Sequence, residues 1–414
     1  MKKGTIIAMA MLSTMAALPS AHAAFVVGGE NGWQFTTDGF INVFSTYETI
    51  DKKPDGVTGG NLNGDLPTDQ SSQQFRVRTG LLPVGIGFNI KSPTIKDVDY
   101  AVRLGLYPQV QNNGGSRTDL APNIDFREIY FTADGKFGQF LAGRAINLYQ
   151  SKNILTDMCL FGVGVVGPVP SGPTMGHIGY GYLYPNFGAQ FRYTTPDLSG
   201  FKVAFSVNDT NDIGAATKRN VPRLEAEVSY ATTFTGGKMQ AWLEGLYQTA
   251  GFEKGQGRVA SDGITPLPDI RPGGHATSVG GATGVQVFLG NLELLASGYG
   301  GRALGMLGMQ GGDATDAVGK ERYNWGFLAQ TTYQLTPEWK LGVNYGQSRA
   351  EETDADEADA VSHIKMQHAA VGAVTYSINK NWQIMAEYTW AQDKWFNGKD
   401  QNGNMVALGT FFYW

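Results

Sequence analysis

Six arginines, Arg76, Arg78, Arg103, Arg127, Arg144 and Arg192, stand in the first half of the chain. Arginine suits bidentate pairing with carboxylate or phosphate groups. A later set of acids follows at Glu225, Glu227, Glu244 and Glu387. Other chemistry is sparse. Beyond the first residues the histidines are His177, His275, His363 and His368. None lies in a zinc-ligand spacing, and none accompanies a serine and an acid in a nucleophile motif. Gly280-Gly281-Ala282-Thr283-Gly284 sits inside an alternating segment, not between a strand and a helix as a phosphate loop would. The single cysteine, Cys159, allows no internal disulfide, and its neighbours Met158, Leu160 and Phe161 predict burial. No catalytic residue, metal ligand or cofactor is expected from these spacings.

The elements that carry the charges alternate at period two. Phe201, Val203, Phe205 and Val207 interleave with Lys202, Ala204, Ser206 and Asn208. Trp339 to Gly346 and Trp382 to Trp390 repeat the pattern. The last residues do so too: Val406, Leu408, Phe412 and Trp414 share one face, and Met405, Ala407, Gly409 and Tyr413 the other. Strands of about ten residues, apolar on one side and ending in aromatics, fit the wall of an outer-membrane barrel. The stretches Phe75–Phe88 and Phe126–Phe140 alternate poorly, which suggests contact with a neighbouring subunit instead of lipid.

Composition points the same way. The chain has 56 glycines in 414 residues, roughly twice the usual share of about 7%. It also carries 8 Trp, 18 Tyr and 22 Phe, enough for two aromatic girdles. Lys2 and Lys3, an apolar run from Ile6 to Leu18, and Ala21-His22-Ala23 read as a signal peptide over 1–23, leaving one barrel domain over 24–414. The formal net charge of −5 becomes −7 without those two lysines, which gives no footprint for nucleic acid.

Two kinds of connection separate the strands. Seven are short and rich in turn residues, such as Asp134-Gly135-Lys136, Asp197-Leu198-Ser199-Gly200 and Gly290-Asn291. Eight are long and polar, near 51–72, 111–122, 151–180, 209–221, 251–274, 302–320, 351–363 and 395–402. Seven turns and eight loops require 16 antiparallel strands with both termini on the short-turn side. The acids from Glu351 to Asp359 make the seventh loop a solvated acidic one, with divalent-ion bridging to lipopolysaccharide as the alternative. Met306, Leu307 and Met309 suggest interfacial or subunit packing.

Several stretches resemble one family. Gly138-Gln139-Phe140-Leu141-Ala142-Gly143-Arg144 is similar to the strand leading into the constriction loop of Gram-negative general porins. Asn186 to Phe201 resembles the strand-turn-strand after that loop, and Phe126-Arg127-Glu128-Ile129-Tyr130-Phe131 the family's Arg-x-x-Tyr strand. The resemblance implies a homotrimer of 16-stranded barrels in the outer membrane. It implies a third long loop folded into the pore, here 151–180, and an assembly signal for the barrel-insertion machinery at Phe412 and Trp414. The third loop lacks the family's acidic segment and holds only Asp157.

A charged side chain facing lipid near the midplane costs about 2–4 kcal/mol, so all six arginines are expected in the lumen. With Asp157, Glu225 and Glu227 they would form the pore constriction. An arginine ladder against an apolar loop favours small anionic or neutral solutes, carboxylates included. The later glutamates weigh against that lean. A substrate-specific channel of dicarboxylate or phosphate type, a barrel-embedded hydrolase and an adhesin are the alternatives.

Overall fold

A computed structural model describes residues 25–62, 71–112, 124–167, 172–254, 270–271 and 273–414. The expected signal peptide lies outside them. The strands are β1 (Phe25–Gly28), β2 (Gln34–Ile50), β3 (Val57–Thr58), β4 (Ser72–Arg78), β5 (Gly85–Lys91), β6 (Asp99–Tyr107), β7 (Asp125–Gly135), β8 (Gly138–Ile146), β9 (Phe187–Thr194) and β10 (Phe201–Asn208). They continue as β11 (Arg223–Phe234), β12 (Gly237–Gly251), β13 (His275–Leu289), β14 (Leu292–Arg302), β15 (Tyr323–Gln334), β16 (Trp339–Ala350), β17 (Ser362–Asn379), β18 (Trp382–Trp395) and β19 (Asp400–Tyr413). Two short helices, α1 (Ser151–Thr156) and α2 (Asp354–Ala358), belong to connections.

Neighbouring wall strands pair antiparallel in chain order, and β19 returns to β2 from Gly403↔Ile50 to Tyr413↔Phe40. The result is a closed barrel of 16 wall positions. Closure leaves no unpaired edge, as hydrocarbon demands of any spanning sheet. β1 and β3 lie outside this count: β1 pairs with the start of β2, and β3 lies parallel to the start of β17. Reciprocal backbone bonds between Gly39 and Trp414, 3.2 and 3.0 Å long, fasten the chain's last residue to the first wall strand.

The period-two reading sorts the faces. Val406, Leu408 and Phe412 point outward, while Met405, Ala407, Phe411 and Tyr413 are buried inside. Burying one such outward side chain in hydrocarbon contributes about 1.5–3 kcal/mol. The short connections fold as their residues suggest. In the turn before β10, Asp197 Oδ1 accepts from Gly200 N at 2.8 Å, and Ser199 and Gly200 take φ values of 59° and 95°. The eighth outer connection is shorter than expected, only 396–399, whereas the third, 147–186, is the longest.

The poor alternation at Phe75–Phe88 has a cause within the chain. β4 and β5 occupy a single wall position, pairing with successive halves of β2. Between them 79–84 leaves the wall and turns inward. Pro83 has no backbone donor for a ladder there. Asn42 holds the excursion, accepting from Gly80 N at 2.7 Å and donating to Leu82 O at 2.9 Å. In the second stretch, a register shift between Gly105 and Tyr107 marks a bulge where β6 meets β7. Met306 and Met309 also depart from expectation. Both are buried, Met306 with Ile364 and Trp395, Met309 with Leu304 and Tyr149. They pack inside the molecule, not against lipid or a subunit.

Candidate pore constriction

The connection 147–186, loop 3, folds into the barrel. Its backbone there has polar groups that need partners. Inward-facing acids of the wall supply them. Glu225 Oε2 accepts from Leu148 N at 2.8 Å and Tyr149 N at 3.2 Å. Glu244 accepts from Gln150 N at 2.6 Å and Lys152 N at 3.2 Å. Glu387 Oε2 accepts from Val163 N at 2.9 Å and Gly164 N at 3.0 Å. Asp393 accepts from Tyr180 Oη at 2.9 Å and, through its other oxygen, from Asn61 N at 2.6 Å. All four acids are buried. An intramolecular hydrogen bond contributes about 0.5–1.5 kcal/mol net, so the set together is a strong clamp.

The glycines in the loop allow the clamp to close. A Cβ on Gly162 would lie 1.7 Å from Glu387 Oε1. Around it, Val163 packs with Phe44, Met385, Met405 and Ala407. The loop's apolar middle therefore faces the β2–β18–β19 wall and not the arginines. Residues 168–171 of that segment lie outside the described residues.

The six arginines do not form one uncompensated ladder. Arg76 faces inward and donates to Asn112 O at 2.8 Å. Arg78 faces inward, is buried, and donates to Gly172 O of loop 3 at 2.8 Å. Arg103 lies between two acids, 3.0 Å from Asp38 and 2.7 Å from Glu128, and also donates to Asn89. Arg127, at the bulge, pairs with Asp125 at 2.7 Å and lies 5.1 and 5.3 Å from the ring centres of Tyr107 and Phe187. Arg192 is buried and bonds Gln190 and Ile146 O.

Arg144 corrects the expectation of a lumenal side chain. Its register partners are Ile129, which is exposed on the outer face, and Ala189. It therefore shares the outward face and donates to Phe187 O at 2.7 Å. It lies two residues from the outer end of β8, where a long cationic side chain can reach the interface. The midplane cost used in the sequence reading does not apply there.

Asp157 is a second correction. It accepts from Cys159 N at 2.9 Å, Tyr182 Oη at 2.7 Å and Asn344 Nδ2 at 3.2 Å. Buried in this knot, it presents no charge to a throat. Glu225 and Glu227 are lumenal but also engaged: Arg223 pairs with Glu225, and Lys152 lies 3.9 Å from Glu227. Arg223, Asp38 and Glu128 were not singled out in the sequence. The same-face run Arg223, Glu225, Glu227 was a readable signal for the first.

The acids that clamp loop 3 come from β11, β12 and β18, and on the other side Arg78 of β4 and the 79–84 excursion hold it. Strands β2, β6 and β7 carry the half-buried Asp38, Arg103 and Glu128 cluster. Below the loop, on the short-turn side, lies a cavity of about 1060 Å³. Lys152, Lys238, Lys340 and Glu293 line it, with Gln240, Gln286 and Gln330 between them. A second cavity of about 430 Å³, lined by Arg192, Lys202, Asp134 and Glu227, shares Lys152 and Asp197 with the first. Together they form a vestibule lined by both charged and apolar side chains.

The outer mouth has its own latch. Arg322 reaches Asp356 of α2 with two bonds of 2.8 and 2.6 Å and also donates to Thr315 O at 2.6 Å. Thr353 caps α2 and donates to Asp316 at 2.7 Å. The acidic loop is thus pinned at Asp356, not wholly solvated. Of the histidines, His363 lies 3.5 Å from Asp313, and His368 bonds Tyr345 and Gln392.

Two outcomes follow from this geometry. Replacing Glu387 with alanine leaves the Val163 and Gly164 donors without acceptors, at about 1–3 kcal/mol each. Planar-bilayer recordings of Glu387→Ala should show larger and noisier conductance; an unaltered single-channel trace would show that loop 3 does not need the clamp. Asp356 gives a pH dependence. Burial pushes its carboxyl up, but the Arg322 hydrogen bonds and charge outweigh this and hold it below the usual value. A lowered folded pKa means the latch contributes fully above about pH 4 and is lost as pH falls through the folded value. Proteolysis of the outer loops should be unchanged from about pH 7 to 5 and rise only below about pH 4, with Asp356→Asn already sensitive at neutral pH.

The chain matches the Gram-negative porin family over residues 8–409. No curated protein matches it. Among solved structures it is similar to the outer membrane channel DcaP of Acinetobacter baumannii, at 16% identity and TM-score 0.67, over 94% of this chain and 100% of that one. The anion-selective porin from Comamonas acidovorans aligns at 14% identity and TM-score 0.61, over 92% and 100%. The trimer form of OmpT, an outer membrane protein of Vibrio cholerae, aligns at 13% identity and TM-score 0.55, over 93% and 100%. At these identities the likeness is one of fold. With a match spanning nearly its whole length and a closed barrel holding an inward third loop, the chain belongs to the Gram-negative porin family.

Proposed function

We propose that the protein is a passive outer-membrane channel for small hydrophilic solutes and ions, narrowed by loop 3. Family membership and the barrel support the channel. The observation that carries the finer reading is the cluster of Asp38, Arg103 and Glu128, whose side chains make no bond to loop 3 among the described residues. Solutes pass along this cluster into the lysine-containing vestibule. One arginine between two acids sums to a formal charge of −1 and leaves no net positive charge, so the throat is only weakly selective. The vestibule adds Lys152, Lys202, Lys238 and Lys340, of which Lys340 lies 3.3 Å from Glu293 and Lys152 3.9 Å from Glu227, and no arginine ladder sets a preference.

The reversal potential across a potassium chloride gradient tests this. The wild-type value should lie near zero, and Arg103→Ala should move it toward cations. A strongly anion-selective wild type whose preference survives Arg103→Ala would transfer control to the vestibule lysines.

The assembly reading is a homotrimer whose insertion depends on the outward Phe412 and the terminal Trp414. Trp414 closes onto Gly39, and the Vibrio cholerae relative is described in a trimer form. In mild detergent the wild type should have the mass of three chains. A chain lacking 412–414 should yield no heat-modifiable barrel in the outer membrane; normal surface levels would refute the signal.

A further inference from the structure

The knot around Asp157 gathers a donor set that the channel does not use. Cys159 Sγ lies 3.8 Å from His177 Nδ1, and His177 Nδ1 lies 3.9 Å from Asp157 Oδ2. One ligand atom from each residue falls within 4.8 Å of the others, and all three residues are buried. Asn344 reaches in from β16. Its Nδ2 is 3.2 Å from Asp157 Oδ1, 3.5 Å from Cys159 Sγ and 3.4 Å from His177 Nδ1. Its Oδ1 is buried and has no hydrogen-bond partner among the described residues. Turned over, the amide presents that oxygen to the same three atoms.

We propose that Asp157, Cys159, His177 and Asn344 form a tetrahedral site for a divalent transition ion of the zinc class. Zinc–sulfur and zinc–nitrogen bonds of about 2.3 and 2.0–2.1 Å place the two donors about 3.6 Å apart on one ion, close to the Cys159–His177 separation. The donor types fit as well. Thiolate and imidazole select zinc or cobalt over magnesium or calcium. Charge supplies an independent argument. Among the described residues Asp157 has His177 as its only ion-pair partner. A buried carboxylate without a full counter-charge is costly. A divalent ion, a thiolate and a carboxylate sum to zero.

Four protein ligands make a closed, structural site. It joins the inward limb of loop 3 at Asp157 and Cys159 to the returning limb at His177 and to the wall at Asn344. The ion would set the position of the loop that narrows the barrel. The inference stands on this geometry and does not depend on which solutes pass.

The test uses full-length mature protein, refolded in detergent under reducing conditions with a chelator or with cobalt(II). Cobalt-refolded protein should hold one ion per chain. It should show a thiolate-to-cobalt band in the near ultraviolet and the intense visible bands of tetrahedral cobalt, and zinc should bleach both. Cys159→Ser should abolish the ultraviolet band. If that variant does not fold, Asn344→Ala replaces it and should weaken cobalt binding about tenfold or more. Folded wild type without bound cobalt, an ultraviolet band persisting in folded Cys159→Ser, or unchanged affinity in Asn344→Ala would each overturn the site.

Discussion

Every backbone donor and acceptor placed at membrane depth must find a partner within the protein. The wall meets this demand by closing β19 onto β2. Loop 3 cannot meet it in the same way. It is irregular backbone inside the barrel, and it has neither a ladder nor free access to bulk water along its length. The wall therefore donates side chains to it. Glu225, Glu244 and Glu387 each take two loop N–H groups, while Gln330 accepts from Met158 N and Gln367 donates to Gly179 O. The acids thus serve the loop before they serve any solute.

That priority changes how lumenal charge is read. A carboxylate with two backbone N–H groups on it directs its lone pairs at the loop. The same holds for the arginines. Arg78 reaches Gly172 O, and Arg192 reaches Ile146 O at the loop's root. The remainder is the half-buried Asp38–Arg103–Glu128 cluster and the lysines that line the vestibule. Counting charged residues on lumenal strands overestimates the field in the throat, because much of that charge is spent inside the scaffold that builds the constriction.

The sequence carried the wall well and the lumen poorly, for physical reasons. A strand between lipid and water has period two written into it, so the faces of β10 and β19 were legible, as were seven turns and the third loop as the longest. The excursion 79–84 was not. It shows only as failed alternation around Gly80 and Pro83, and its partner Asn42 lies on another strand. Arg144 was misplaced because its depth, not its phase, relaxes the cost of facing outward. Asp157 looked like a throat charge because nothing nearby in sequence reveals Tyr182 and Asn344 closing over it. Local pattern reports a periodic environment; pairing across the barrel depends on register and loop path, which it does not contain.

Loop 3 also shows why the glycines and acids must be considered together. Glu387 can hold Val163 N and Gly164 N only because Gly162 has no side chain to keep them apart. A larger residue at Gly162 would push the loop toward the centre of the barrel and release the carboxylate into the lumen. One substitution would then change both the width and the charge of the passage. Size and selectivity are coupled here through a single contact, so a variant that widens this pore without altering its ion preference should be sought away from both loop 3 and the Asp38–Arg103–Glu128 cluster.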